Sequence, residues 1–192
     1  MRPLSNFVVY VPKKVNETKK IGDVEIYIET KFNEFEHRVM EGEVVGIPEK
    51  YKTQVAVGDT LYFHHHVVIT PQVIDEKNDL YQVNYSPDGG HSTQSYIVKK
   101  KDTNEIIALD DWVFLDPIKP EPKLKSDILE LVSFEEEVNY KGKIMYASDK
   151  IKELGLKIGD VVWFTKNSDY EMQIDDKKLW RVLIQNLTIV EK

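Results

Sequence analysis

Val55-Ala56-Val57-Gly58-Asp59-Thr60-Leu61-Tyr62-Phe63 returns further along the chain as Leu156-Lys157-Ile158-Gly159-Asp160-Val161-Val162-Trp163-Phe164. The shared pattern is apolar-x-apolar-Gly-Asp-x-apolar-aromatic-Phe. Physically it reads as a sharp turn feeding a strand. Glycine supplies a backbone angle that other residues resist, and aspartate can hydrogen-bond its own backbone within the turn. Upstream, Glu41-Gly42-Glu43-Val44-Val45 resembles Lys141-Gly142-Lys143-Ile144-Met145 at nearly the same spacing. Downstream, Ile107-Ala108-Leu109-Asp110-Asp111-Trp112-Val113 is matched to Val182-Leu183-Ile184-Gln185-Asn186-Leu187-Thr188. Three blocks in one order predict two copies of a small β-unit.

Working outward, short runs rich in Val, Ile, Tyr and Phe recur between Gly, Asp, Asn and Pro, the pattern of strands. They include Phe7–Val11, Glu43–Ile47, Thr60–Phe63, Ser95–Val98 and Trp112–Leu115. Lys143–Tyr146, Val161–Phe164 and Leu179–Ile184 follow in the last third. Many are continuously apolar, which predicts strands covered on both faces or bent at corners. Helix is scarce. Ser148–Leu154 predicts one or two turns closed by Gly155. The expected fold is all-β, in two tandem small β-barrels covering 1–110 and 111–192. On the third block's alignment, the first copy carries an insertion near 66–94, with a turn at Ser86-Pro87-Asp88-Gly89-Gly90.

Composition excludes several classes of function. The 192 residues are 41% hydrophobic and 31% charged, an ordinary globular balance. No apolar run is long enough to span a bilayer, and Met1–Asn6 has no apolar signal region. There is no cysteine, so disulfide scaffolds, thiolate metal sites and thiol catalysis are out. The expected location is a reducing compartment, the cytoplasm. Acidic residues number 33 against 26 basic, a net charge of −7, which argues against a nucleic-acid partner. No Gly-rich phosphate loop, nucleophile elbow or dinucleotide fingerprint is present. No enzymatic activity and no cofactor are expected. Glu135–Glu137 lacks calcium-loop spacing and reads as a solvated segment. Tyr10, Tyr27, Tyr62, Trp163 and Trp180 read as core or interface residues.

At these residues the chain resembles the GroES-like co-chaperonin family. Arg2-Pro3-Leu4-Ser5-Asn6-Phe7-Val8-Val9-Tyr10-Val11 is similar to that family's opening strand. Glu17-Thr18-Lys19 falls where its mobile loop begins. Gly42–Val45 and Val57–Phe63 match its next two signatures, and Gln185–Val190 echoes its closing strand loosely. Asp111–Pro117 resembles both a closing strand and a new opening one. The tandem arrangement is similar to the doubled co-chaperonins of plastids, and the short, divergent form to phage-encoded ones. In the family, a hairpin between the two signatures forms the roof of a dome. Here that interval is only Ile47–Gln54, so a full roof is not expected.

The resemblance implies a lid that caps a GroEL-like, ATP-driven chaperonin ring and assists protein folding. It implies a homo-oligomer, itself a ring, with no nucleic-acid or membrane partner. A mobile loop presenting a few apolar side chains suits a lid that must release. Its ordering cost holds affinity down while the anchors make the contact. The first such loop spans about 12–39. The family's apolar tripeptide falls on Val24-Glu25-Ile26, with a charged middle residue that departs from the pattern, and Ile26-Tyr27-Ile28 is the more apolar alternative. Val24, Ile26 and Ile28 alternate and would share one face of an extended chain. The alternative reading is a core strand. The second loop, near 116–137, offers Ile128, Leu129 and Leu131, or else reads as a buried strand or one helical turn capped by Ser126.

His64-His65-His66 is the other cluster with chemistry. Read as a strand, adjacent histidines point to opposite faces, so at most His64 and His66 share one. A metal would then need a third ligand from His37, His91 or Asp59. The plainer reading is a strand end at the surface or a subunit interface, and no metal ligand is assigned. Two rival functions remain beside the co-chaperonin. One is a structural or assembly β-barrel without chaperonin binding. The other is a small His-metal β-barrel enzyme.

Overall fold

A computed structural model describes residues 2–12, 18–21, 24–27, 38–69, 72–87, 93–118 and 140–191. The chain divides into two compact units, Met1–Ile107 and Ala108–Lys192. Both are built on antiparallel sheets. The described helices are short turns, and none is long and apolar enough to cross a membrane.

The first unit opens with β1 (Phe7–Tyr10) and a separate hairpin, β2 (Thr18–Ile21) with β3 (Val24–Tyr27). It continues through β4 (Glu41–Gly46), β5 (Thr60–Phe63), the short helix α1 (His66–Ile69), β6 (Val73–Asp75), β7 (Leu80–Val83) and β8 (Ser95–Lys99). It ends in β9 (Ile106–Ala108). The sheet order is β6-β7-β1-β4-β5-β8-β9. The second unit contains β10 (Trp112–Pro117), β11 (Lys141–Ala147), β12 (Val161–Phe164), β13 (Tyr170–Ile174), β14 (Lys177–Leu183) and β15 (Leu187–Glu191). Its order is β13-β14-β10-β11-β12-β15. Apart from β9, which has no counterpart, the second sheet repeats the strand order of the first.

The repetition extends to register. Glu41, Gly42 and Glu43 face Tyr62, Leu61 and Thr60, as Lys141, Gly142 and Lys143 face Trp163, Val162 and Val161. Val9 faces Val44 on one side and Tyr81 on the other. Leu115 likewise lies between Ile144 and Trp180. The register shifts recur too, at Val8/Val9 and Phe114/Leu115, and at Tyr62/Phe63 and Trp163/Phe164. A bulge turns the strand so that consecutive side chains both meet the core. Leu61, Tyr62 and Phe63 are all buried, as are Trp112 to Leu115.

The repeated glycines answer to close approach and to the turn. A Cβ on Gly142 would lie 2.8 Å from the Leu115 Cβ and 3.1 Å from the Asp116 carbonyl oxygen. One on Gly42 would lie 2.8 Å from the Val11 Cγ2 and 3.0 Å from the Tyr10 oxygen. Gly58 and Gly159 take φ of +92° and +96°, the left-handed region the Gly-Asp turn requires. Each turn closes through the same three bonds. The Gly58 and Gly159 N–H groups donate to Val44 and Ile144, both at 2.8 Å. Val44 and Ile144 donate back to Asp59 and Asp160 at 2.9 Å, and each Asp N–H closes onto the residue three before it at 3.2 Å. The second unit's core gathers Val113, Leu115, Ile144, Ile151, Val162, Phe164, Trp180 and Val182. The first buries Phe7, Val9, Val44, Leu61, Phe63, Tyr81 and Ile97 completely. Tyr62 and Trp180 are core residues as expected, whereas Tyr10 is exposed.

Two expectations need correction. The third sequence block was matched out of register. The counterpart of Leu187–Glu191 is Ser95–Lys99, because Leu61, Tyr62 and Phe63 pair with Val98, Ile97 and Ser95 as Val162, Trp163 and Phe164 pair with Val190, Ile189 and Leu187. The stretch 66–94 is consequently not an insertion as a whole. It holds the β6–β7 hairpin, which the second unit matches with β13–β14. What the first unit adds there is α1 and a 3₁₀ turn at Glu76–Asn78. The expected all-β class holds: the described strands form a seven-stranded sheet, a six-stranded sheet and the β2–β3 pair. The short helical stretch stands as a 3₁₀ helix at Asp149–Leu154, with Gly155 at φ +68° donating to the Ile151 and Lys152 carbonyls.

Candidate functional site

The segment expected to meet a partner lies between β1 and β4. Its described part is the β2–β3 hairpin, in which Thr18, Lys19, Lys20 and Ile21 face Tyr27, Ile26, Glu25 and Val24. This hairpin is a two-stranded sheet of its own, and among the described residues its strands pair with neither large sheet. Val24 and Ile26 occupy alternate positions of β3, with Tyr27 at its end. Ile28 lies outside the described residues, as do Ile128, Leu129 and Leu131. In chain order, 119–139 falls between β10 and β11, the place that corresponds to the hairpin's between β1 and β4.

The histidines are placed differently from the sequence expectation. Strand β5 stops at Phe63, and α1 begins at His66. The chain turns between them, so the period of two no longer applies. The His64 N–H donates to the Gln94 carbonyl at 3.0 Å, holding the turn against the chain entering β8. The Val67 and Val68 N–H groups donate to His64 and His65 at 3.0 and 3.1 Å, which starts the helical turn. All three rings therefore meet on one side. Their centroids are 4.6 Å apart for His64 and His65, 4.4 Å for His64 and His66, and 4.3 Å for His65 and His66. One ligand nitrogen from each lies within 4.8 Å of the others. His65 is buried, His64 half-buried and His66 exposed. The expectation that at most two could share a face is overturned by the turn at Phe63. Among the described residues Asp59 does not belong to this trio, and His37 and His91 lie outside the described residues.

The Asp59 turn is the other polar centre. Its carboxylate accepts from the Ala56 N–H at 2.8 Å, the Lys101 N–H at 3.1 Å and the Lys100 ammonium. Lys100 also donates to the Gln54 carbonyl at 2.8 Å. Burial pushes the carboxyl up, but the Lys100 hydrogen bond, the two amides and the Lys100 charge outweigh it and hold it below the ordinary value. Both carboxylate oxygens are engaged within the fold, as expected of a structural ion pair. Asp160 keeps the corresponding bond from the Lys157 N–H at 3.1 Å, in a more exposed setting. In comparison with known proteins, the chain matches no protein-family model and no curated protein.

Proposed function

We propose that the protein is a GroES-like co-chaperonin of tandem form, each unit a small β-barrel, which caps an ATP-driven chaperonin ring and assists protein folding. The observation that carries this reading is the β2–β3 hairpin. It lies between β1 and β4 in the chain, and among the described residues its strands pair only with each other. A hairpin outside the main sheet can engage a partner without disturbing the core. Val24, Ile26 and Tyr27 are the contact residues, continued by Ile28, and an extended segment can add its strand to a partner's edge or groove. Ile128, Leu129 and Leu131 make the corresponding contact from the second unit. Two contacts on one chain raise the effective concentration of the second, so capping tightens without a new kind of interaction. The repeated bulges and the continuously buried strands support sheets that curl as small barrels do. Subunits assemble through their sheet edges into a ring, which removes exposed edges.

The test is ATP-dependent co-migration with a chaperonin ring on gel filtration, for the wild type and a Val24→Ser, Ile26→Ser double variant. Binding that requires ATP and is lost in the variant supports the lid and locates its contact. Binding kept by the variant moves the contact to Ile128–Leu131. No binding to chaperonins from several hosts overturns the reading and leaves an assembly protein built of β-sheet.

A further inference from the structure

We propose that His64, His65 and His66 form an open, all-imidazole site for a borderline divalent transition-metal ion, Zn2+, Ni2+ or Cu2+. The site is independent of any contact with a chaperonin. Three imidazole nitrogens suit these ions, whereas Mg2+ and Ca2+ prefer oxygen donors.

The geometry is close to that of a bound ion. Imidazole nitrogens sit about 2.0–2.1 Å from zinc, so two of them in a tetrahedral shell are roughly 3.4 Å apart. The three here lie within 4.8 Å of one another. Closing a pair at that limit takes a movement of about 1.4 Å, within reach of a side-chain rotation. His65, at 3% exposed, is held in place and gives the site a fixed ligand. The turn is pinned by the His64 N–H bond to Gln94 and the Val67 and Val68 bonds back to His64 and His65. The backbone has therefore already gathered the ligands, which removes much of the ordering cost.

One bond competes. The His66 N–H donates to the His64 Nδ1 at 3.2 Å, so that lone pair is engaged. A metal taking Nδ1 releases this N–H, which belongs to the first residue of α1. Such a donor has no partner within its own helix and can turn to water instead. The competing bond is long, so its loss is a small opposing term. Three protein ligands leave at least one coordination position open at the exposed His66 side, for water or for a donor from another molecule.

Calorimetric titration of the full chain with Zn2+, and separately with Ni2+, tests this, with Mg2+ as control. One Zn2+ per chain and no Mg2+ binding is expected. His66→Gln, an exposed change that leaves the backbone bond intact, is expected to raise Kd at least about tenfold, since even groups that only support a metal ligand cost 10–100-fold when removed. His64→Gln does the same, and His37→Gln with His91→Gln leaves Kd unchanged. Circular dichroism of each variant separates loss of a ligand from loss of fold. Zinc binding that survives both single changes, or that disappears with His37 and His91 instead, overturns the proposal, as does the absence of binding at pH 7.5.

Discussion

The Asp59 carboxylate meets the Lys100 ammonium at 2.5 Å, with the Asp59 side chain 5% exposed and that of Lys100 23%. This ties the Gly-Asp turn before β5 to the end of β8, its neighbour in the sheet. The same carboxylate holds two backbone N–H groups. Removing it leaves two amides without their acceptor and the part-buried Lys100 ammonium with the Gln54 carbonyl but no counter-charge. Asp59→Ala is expected to cost about 3 kcal/mol, the lower part of the range for breaking a buried pair. Asp160→Ala, at the exposed counterpart, is expected to cost about 1 kcal/mol, near the loss of one turn bond. Urea midpoints read both. All three tryptophans lie in the second unit, so their emission follows that unit, while far-ultraviolet circular dichroism follows both. The Asp59 change should act on the dichroism far more than on the emission.

The same residue fixes a pH dependence. The folded carboxyl of Asp59 is held below its ordinary value, so the unfolded chain protonates first as pH falls. The pair's contribution is complete above the unfolded pKa, about 3.9, and is lost as pH drops through the lower folded value. Asp59→Asn removes that dependence while keeping the shape. The gap in stability between wild type and Asp59→Asn should be constant from pH 7 to about 5 and narrow below about 4. A gap that does not change down to pH 2.5 would show that the ion pair contributes nothing.

What the sequence disclosed followed from local physics. The Gly-Asp turn and the Gly42 and Gly142 positions are each set by one backbone angle or one close approach, and the chain repeats them nearly verbatim. The strand β8 and its counterpart β15 were not legible in this way. Ser95-Tyr96-Ile97-Val98-Lys99 and Leu187-Thr188-Ile189-Val190-Glu191 share only their Ile-Val centre. Their equivalence rests on backbone pairing to β5 and β12, which constrains register and not residue type. The hairpins were hidden for another reason. One closes through a 3₁₀ turn with Asp79 at φ 51°, the other through a tight turn with Asp175 at φ 51°. Two solutions of different length defeat an alignment by spacing. The histidines were misread because the strand ends one residue before them, and alternation was extended past that end.

The close approach at Gly142 makes a sharper comparison. A methyl group there meets the Leu115 Cβ and a backbone oxygen, neither of which can rotate away. Gly142→Ala is expected to destabilise the second unit by about 2–3 kcal/mol through forced separation of β10 and β11. Gly155→Ala meets nothing within 4 Å and suffers only from its φ of +68°, about 1 kcal/mol. Tryptophan emission during urea unfolding ranks the two. Equal costs would mean that β10 and β11 relax freely.

Arg181 links three strands of that unit. It pairs in register with Phe114 on β10 and with Tyr170 on β13. Its guanidinium lies 4.2 Å from the Trp112 ring centre and 4.8 Å from that of Tyr170. A planar cation between two aromatic faces gains from both rings, and its stem covers apolar surface besides. The two contributions are separable. Arg181→Leu keeps an apolar body and loses the cation, and is expected to cost about 1–2 kcal/mol. Arg181→Lys keeps the charge and loses the flat fork, so it should fall between wild type and Leu. Arg181→Ala loses stem and cation together and should be the least stable. Because Trp112 is one of the stacked rings, the variants should also shift folded-state emission before any unfolding begins. If Leu proves as stable as Arg, the stack is packing alone, and the cation between Trp112 and Tyr170 contributes no net stability.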